Sequence, residues 1–366
     1  MILYVAIISL LLISLLINVI RQPYKVICKN GDMPSGLSRR KTLPLSRVLF
    51  FYGVLLFLWV LTAFRSENIG NDTKNYLSFF NNIKRNGVSE KNGIEYGYQF
   101  YCRIVGKFTA SENAILIATA TLCYLGTGIY VLKFSDNITF SLTLLFAICF
   151  SVFTNILRQS IAMVICLYAY QALKRRKYLI FLLLVLLAST FHTSALIFFA
   201  LLFNKIFPKD IRITFLIALV LTVCSMTNVL SSLLQMLMPE YKGYFDGMYK
   251  NSGWLAVTFE LLRALFFCVI IFQLSGKKNH DSLVLAGFSM LLFVVCLGYG
   301  VNLFTRASEY FLLLSIVEIP NAVMKLEREK RRFLILLIGI VMLAYFMVIL
   351  IFRPEWNRIC PYEFWN

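Results

Sequence analysis

Charge, histidine and paired cysteines are all scarce in this sequence, and each shortage excludes a class of protein. Charged residues make up 15% of the 366 positions against 59% hydrophobic ones, and the mean hydropathy is +0.75. A water-soluble fold of this length has no way to hide so much apolar surface. The nine cysteines show no CxxC spacing. Cys123, Cys149, Cys166, Cys224, Cys268 and Cys296 lie inside apolar runs, so neither a zinc site nor a redox motif is written here. No group of carboxylates has the pattern of a metal site, and none is expected. Cys102 and Cys360 fall in segments placed on the same side of a membrane, which leaves a disulfide between them open. No basic run precedes the first apolar stretch, 2–20, whereas Arg21 and Lys25 follow it. That stretch is expected to be a retained helix with its N-terminus outside rather than a cleaved signal. There is no internal repeat, and no soluble segment larger than 65–112.

What fills the sequence is a series of continuous apolar runs rich in Leu, Ile and Phe. In lipid every backbone polar group must be satisfied within the protein, which permits helices or a closed barrel. The runs do not alternate, so helices are expected. A crossing helix needs about 20 residues. Runs at 2–20, 47–64, 113–133, 138–154, 157–173, 178–190, 192–207, 212–237, 254–274, 282–300, 303–320 and 333–352 predict about twelve spans. The pair 178–190 and 192–207 is short and also suits a re-entrant hairpin, with no change of parity. The expectation is an all-α polytopic bundle forming a single membrane domain over 1–366. It carries an extracytoplasmic loop, 65–112, with surface helices, and a basic cytoplasmic loop, 321–332.

A net charge of +18 on a soluble chain would suggest nucleic acid. Here the basic residues sit in short segments between spans, at 21–47, 174–177, 205–212, 277–281 and 325–332. Simple alternation puts all of them on one side. The positive-inside rule makes that side cytoplasmic and both termini extracytoplasmic, and no nucleic-acid partner is expected. The run 325–332 also suits anionic membrane lipid. The stretch around 75–83, with Tyr76, Phe79, Phe80 and Ile83 at helical spacing, is expected to lie flat on the membrane.

Ionisable residues are costly at membrane depth, so their positions are informative. In this topology most of the unusual ones fall at the outer boundary: Arg65, Asp72 and Glu95 in the first large loop, and Arg158 and Gln159 at the start of the fifth span. His192 lies at the turn after the sixth, and Arg306 and Glu309 in the outer part of the eleventh. Each has a purely structural reading. Arg158 can snorkel to headgroups; His192 can make a local hydrogen bond; Asp72 can cap the helix from Thr73. Arg306 can neutralise Glu309, and Glu260 can neutralise Arg263, which is the reading adopted for the second pair. For the others, convergence at one depth favours a site. The inner halves of the spans are almost purely apolar, and the outer loops are rich in tyrosine: Tyr76, Tyr96, Tyr98, Tyr101, Tyr241, Tyr244 and Tyr249.

Several of these residues stand in recognisable short motifs. Arg65 followed by Gly70-Asn71-Asp72-Thr73 and Tyr76 resembles the EpsG family of Wzy-like polysaccharide polymerases. So do Arg158-Gln159 with Ala162, Phe191-His192 with Ser194-Ala195-Leu196, Arg306 with Glu309-Tyr310-Phe311 and Pro320, and Pro361-Tyr362. The motifs run in the same order over nearly the whole chain. Asn71 departs from the smaller residue expected before the aspartate. The resemblance implies a membrane glycosyltransferase of GT-C-like architecture in a bacterial inner membrane. Its substrate would be an undecaprenyl-pyrophosphate-linked repeat unit, built into capsule, exopolysaccharide or O-antigen. A flippase and a chain-length regulator enter as candidate partners, with no cofactor or metal. In such a reaction Arg158 and Arg306 would stabilise the leaving pyrophosphate, with Arg65 a third cation. Asp72 or His192 would be the base. Glu95, Gln159, Glu309 and Tyr76 would contact substrate. Two rivals are a flippase, which calls for polar groups through the inner leaflet as well, and a membrane O-acyltransferase built around His192. A ligase that transfers finished glycan is a close relative.

Overall fold

The computed structural model describes residues 1–20, 45–88, 94–109, 111–227, 232, 236, 253–275, 281–301 and 303–365. The basic segment 21–44 and Tyr241, Tyr244 and Tyr249 lie outside the described residues. The described chain is helical, with one isolated β-bridge between Arg65 and Phe364. The helices are α1 (Ile2–Ile20), α2 (Leu45–Ala63), α3 (Thr73–Asn86), α4 (Tyr96–Phe108), α5 (Ala114–Phe134), α6 (Ile138–Asn155), α7 (Leu157–Lys174) and α8 (Tyr178–Phe191). A 3-10 segment (Thr193–Phe203) follows. Then come α9 (Ile211–Met226), α10 (Trp254–Leu274), α11 (Ser282–Leu297), α12 (Leu303–Leu312), α13 (Ser315–Val323), α14 (Arg328–Phe352) and the single turn α15 (Pro354–Asn357).

Six helices among the described residues are long and apolar enough to cross a bilayer: α1, α2, α5, α6, α10 and α14. Shorter apolar helices, α8, α9, α11 and the 3-10 segment, stand beside them. Most expected runs coincide with helices, but about twelve full crossings are not established: the helix in the run 212–237 is described only over Ile211–Met226, and most of 228–237 lies outside the described residues. The α8 pair has a physical limit. Fourteen α-residues rise about 21 Å and eleven 3-10 residues about 22 Å, short of the roughly 30 Å hydrocarbon core. The expected span 303–320 is interrupted at 313–314, between α12 and α13.

The bundle is organised around α6, which is apolar on every face and buried along nearly its whole length. A helix without a polar face belongs in the middle of a bundle. It packs against α1, α2, α5, α7, α13 and α14. Asn137 starts it by accepting the backbone N–H of Phe140 at 3.2 Å, a local cap.

Polar contacts separate the molecule into two poles. At one, Asn137 Nδ2 donates to Asn18 Oδ1 (3.0 Å), Arg332 Nε to the Val19 carbonyl (2.9 Å) and Lys174 Nζ to Glu318 (2.9 Å). The described basic segments 174–177, 205–212 and 325–332 lie at this end. At the other, Tyr4 donates to the Ile359 carbonyl (2.5 Å) and Asn155 Nδ2 to the Asn357 carbonyl (3.0 Å). Ser66 N–H donates to the Glu363 carbonyl (2.9 Å). The N-terminal end and the C-terminal tail therefore share a pole, as the alternation requires. The helix ends at the first pole are less apolar than expected, because Glu318 and Arg331 are buried there, Glu318 being neutralised by Lys174. Cys102 and Cys360 are both free thiols.

Two features build the site's pole. Gly70 has φ +85°, and a Cβ there would lie 2.6 Å from the Thr154 carbonyl oxygen, at the end of α6. Glycine alone tolerates both conditions. Gly70→Ala should therefore lower the detergent-solubilised melting midpoint by several degrees, measured by intrinsic fluorescence; an unchanged midpoint would show that the loop can move away. The second feature corrects an expectation. The apolar face of α3 does not lie on the membrane: Tyr76, Leu77, Phe80 and Ile83 are buried, with Phe79 stacked on Tyr98 of α4 at 6.0 Å. Periodicity locates an apolar face without saying what covers it.

Candidate functional site

Glu95 stands at the N-terminal end of α4, and α4 is held tightly on α8. A Cβ on Gly97 would fall 2.2 Å from Thr190 Oγ1, so only glycine permits this approach. The Glu95 carboxylate consequently reaches two other segments. Its Oε2 pairs with Arg158 NH1 at 2.5 Å, and its Oε1 meets His192 Nδ1 at 2.9 Å and accepts the Thr193 N–H at 3.1 Å. Arg158 is presented by the break at Ile156 between α6 and α7, and His192 by the extended residue between α8 and the 3-10 segment. Burial by itself would raise the Glu95 carboxyl. The His192 hydrogen bond and the Arg158 charge outweigh it and hold the group down at about 2. Tyr76, pushed up by burial, faces the same Arg158 guanidinium.

Since the folded pKa lies below the ordinary 4.5, this cluster stabilises the protein fully above the ordinary carboxylate range. The contribution is lost as pH falls from there toward about 2. Glu95→Gln should remove it, leaving a variant whose melting midpoint trails wild type at neutral pH and approaches it in acid. A constant gap between the two curves down to pH 3 is the contrary outcome.

The second group lines a cleft of about 420 Å³ between the 70–72 turn, the α6–α7 break, α10, α12 and the tail. Asp72, Arg306, Glu309, Glu260, Asn155 and Trp356 contribute to its wall. Asp72 occupies the N-cap position of α3, yet its side chain makes no capping bond and lines the cleft instead. Arg306 is exposed, and among the described residues it has no ion-pair partner. Its backbone carbonyl receives Gln159 Nε2 at 2.5 Å. Gln159 is the neighbour of Arg158, so this bond joins the two groups across the start of α7.

Glu309 does not neutralise Arg306. It accepts from Arg263 NH2 of α10 at 2.8 Å, and the same nitrogen donates to Glu260. Tyr345 of α14 donates to the other Glu260 oxygen at 3.3 Å. Position explains the choice, because α12 turns its Glu309 face toward α10 and leaves Arg306 at the mouth. A smaller chamber of about 80 Å³ lies behind this network. The adopted reading of Glu260 and Arg263 as a structural pair holds, enlarged to a three-helix network.

Arg65 reaches neither group. It is 1% exposed, donates to the Thr62 carbonyl and lies 3.4 Å from Thr73 Oγ1, so it props the loop from beneath. Sequence reasoning passed over Asn155 and Trp356. Asn155 Oδ1 accepts the Asn71 N–H at 2.6 Å, and Asn71 Nδ2 donates to the Trp356 carbonyl at 2.6 Å. The asparagine that departs from the family pattern thus ties the cleft's floor turn to its C-terminal rim. An asparagine beside the polar Arg158-Gln159 break was the available signal.

The apolar bundle and the polar pole define a multi-pass membrane protein. The chain belongs to the EpsG family, whose model matches residues 48–364. That is a family of polysaccharide polymerase-like membrane proteins, which places the chain in polysaccharide biosynthesis. No curated protein and no solved structure matches it.

Proposed function

We propose that the protein is a polysaccharide polymerase acting at the extracytoplasmic face of a bacterial inner membrane. It transfers a growing glycan from undecaprenyl pyrophosphate to a sugar hydroxyl of an incoming lipid-linked repeat unit, toward capsule, exopolysaccharide or O-antigen. The observation that carries this reading is Arg306 and Asp72 in one cleft, neither ion-paired among the described residues, joined through Gln159 to the Arg158–Glu95–His192 group. As the acceptor oxygen attacks the anomeric carbon, the bond to pyrophosphate breaks and its electron pair passes to the phosphate oxygen. Arg306 offers that oxygen two donors and a permanent charge. The hydroxyl proton goes to a base. Asp72 shares the cleft with Arg306, while Glu95 holds His192 through Nδ1 and leaves Nε2 for a proton, so both remain candidates. Arg158, already bound to Glu95, is better placed to position that pair than to carry the leaving group. Guanidinium charge serves here without a divalent metal. At the opposite pole the buried Glu318 is locked to Lys174, which removes it as a free group on a flippase path.

The test is purified protein in nanodiscs given the lipid-linked repeat unit of its host, without acyl donor or nucleotide sugar. Longer glycan supports polymerisation. Intact folded protein that leaves glycan length unchanged defeats it, and acylation dependent on an added donor points to the transferase rival.

A further inference from the structure

With the apolar face of α3 covered by protein, α4 is left with an uncovered one. Tyr96, Phe100, Ile104 and Phe108 recur every fourth residue and are 54%, 62%, 40% and 85% exposed. On a helix that spacing draws one continuous stripe. The opposite face of α4, with Tyr98, Gln99 and Cys102, is buried. The stripe is flanked by Arg103 and Lys107, both exposed, and α4 contains no acidic residue to offset them. Its neighbour α8 presents Leu182, Leu183, Leu186 and Leu187, also exposed, so the stripe continues an exposed apolar surface of the bundle. A thirteen-residue helix is about 20 Å long, too short to cross. It begins beside His192, at the end of α8.

We propose that α4 is an in-plane interfacial helix. Its stripe sits among the acyl chains of the leaflet at the site's pole, and Arg103 and Lys107 rest on the phosphates of anionic bilayer lipids. Amphipathic helices with cations beside an apolar face bind in this way, by buried area plus attraction to anionic headgroups. Lys84 and Arg85, in the last turn of α3, which packs on α4, are also exposed and add to the positive charge beside the stripe. The helix that meets lipid is then the one that carries Glu95 between Arg158 and His192. This inference does not depend on the polymerase reading.

Site-directed spin labelling of the full chain tests it, with Cys28, Cys224 and Cys360 replaced by serine. Labels at Phe100→Cys, Phe108→Cys and the exposed α3 position Asn82→Cys are compared in nanodiscs. One set contains phosphatidylcholine alone, the other phosphatidylcholine and phosphatidylglycerol in equal parts. At 100 and 108, access to a water-soluble nickel chelate should fall several-fold below that at 82, while access to oxygen rises. Nickel access equal to that at 82 overturns the interfacial placement, and the second stripe label keeps the test usable if one variant fails to fold. Phosphatidylglycerol should lower nickel access further, and Arg103→Gln with Lys107→Gln should cancel that gain. No difference between the lipids, or none made by the glutamines, overturns the anionic-lipid contact.

Discussion

Arg306→Ala should abolish chain extension while the protein accumulates and inserts as wild type. The guanidinium lines the cleft without an ion-pair partner among the described residues, so its loss leaves no buried charge stranded, and the fold should not register it. The rate should. Removing one preorganised donor from a site where negative charge develops typically costs about 10²–10³ in rate. A group that also carries formal charge belongs at the upper end. Arg306→Lys keeps the charge but not the paired donor geometry, so it should recover part of the activity and not all. Arg158→Ala should also remove polymer, by a different route: Glu95 keeps His192 and Thr193 but loses the cation that fixes its second oxygen. Polymer of normal length from Arg306→Ala, in a strain without a second polymerase, would take Arg306 out of the reaction.

The limits of the sequence as a guide are visible in particular residues. Apolar runs located the six long apolar helices, α1, α2, α5, α6, α10 and α14, to within a few residues, because lipid demands long apolar segments whatever their neighbours are. The shared pole of Arg158, His192 and Arg306 followed from alternation alone. Partner choice did not. Glu309 lies three residues from Arg306, yet its carboxylate is satisfied by Arg263 from another helix. Likewise the α3 stripe found a protein surface, and the lipid-facing role passes to α4. Helix spacing specifies which residues share a face; which face another element covers depends on contacts between residues far apart in the chain. Glu318 was a different case: the spans' inner halves read as almost purely apolar, and this carboxylate and its partner Lys174 were passed over.

Arg263→Ala should be the most damaging single change to stability. One guanidinium nitrogen serves Glu260 and Glu309 together, and the arginine is buried. Alanine leaves two carboxylates facing each other in a low-dielectric wall with only Tyr345 donating to one of them. Removing one partner of a buried ion pair typically costs about 3–5 kcal/mol, chiefly through the charge left behind. Two stranded carboxylates place this case at the top of that range. Stranded charge has a consequence that a simple loss of packing lacks. If stranded charge is the cause, adding Glu260→Gln and Glu309→Gln to Arg263→Met should restore much of the detergent melting midpoint, since neutral groups of similar volume carry no such penalty. Activity would respond separately, because both glutamates also line the cleft. Wild-type melting of Arg263→Ala, or a triple variant no more stable than the single one, would mean that the network contributes shape rather than charge balance. α10, α12 and α14 would then be held together by their apolar faces alone.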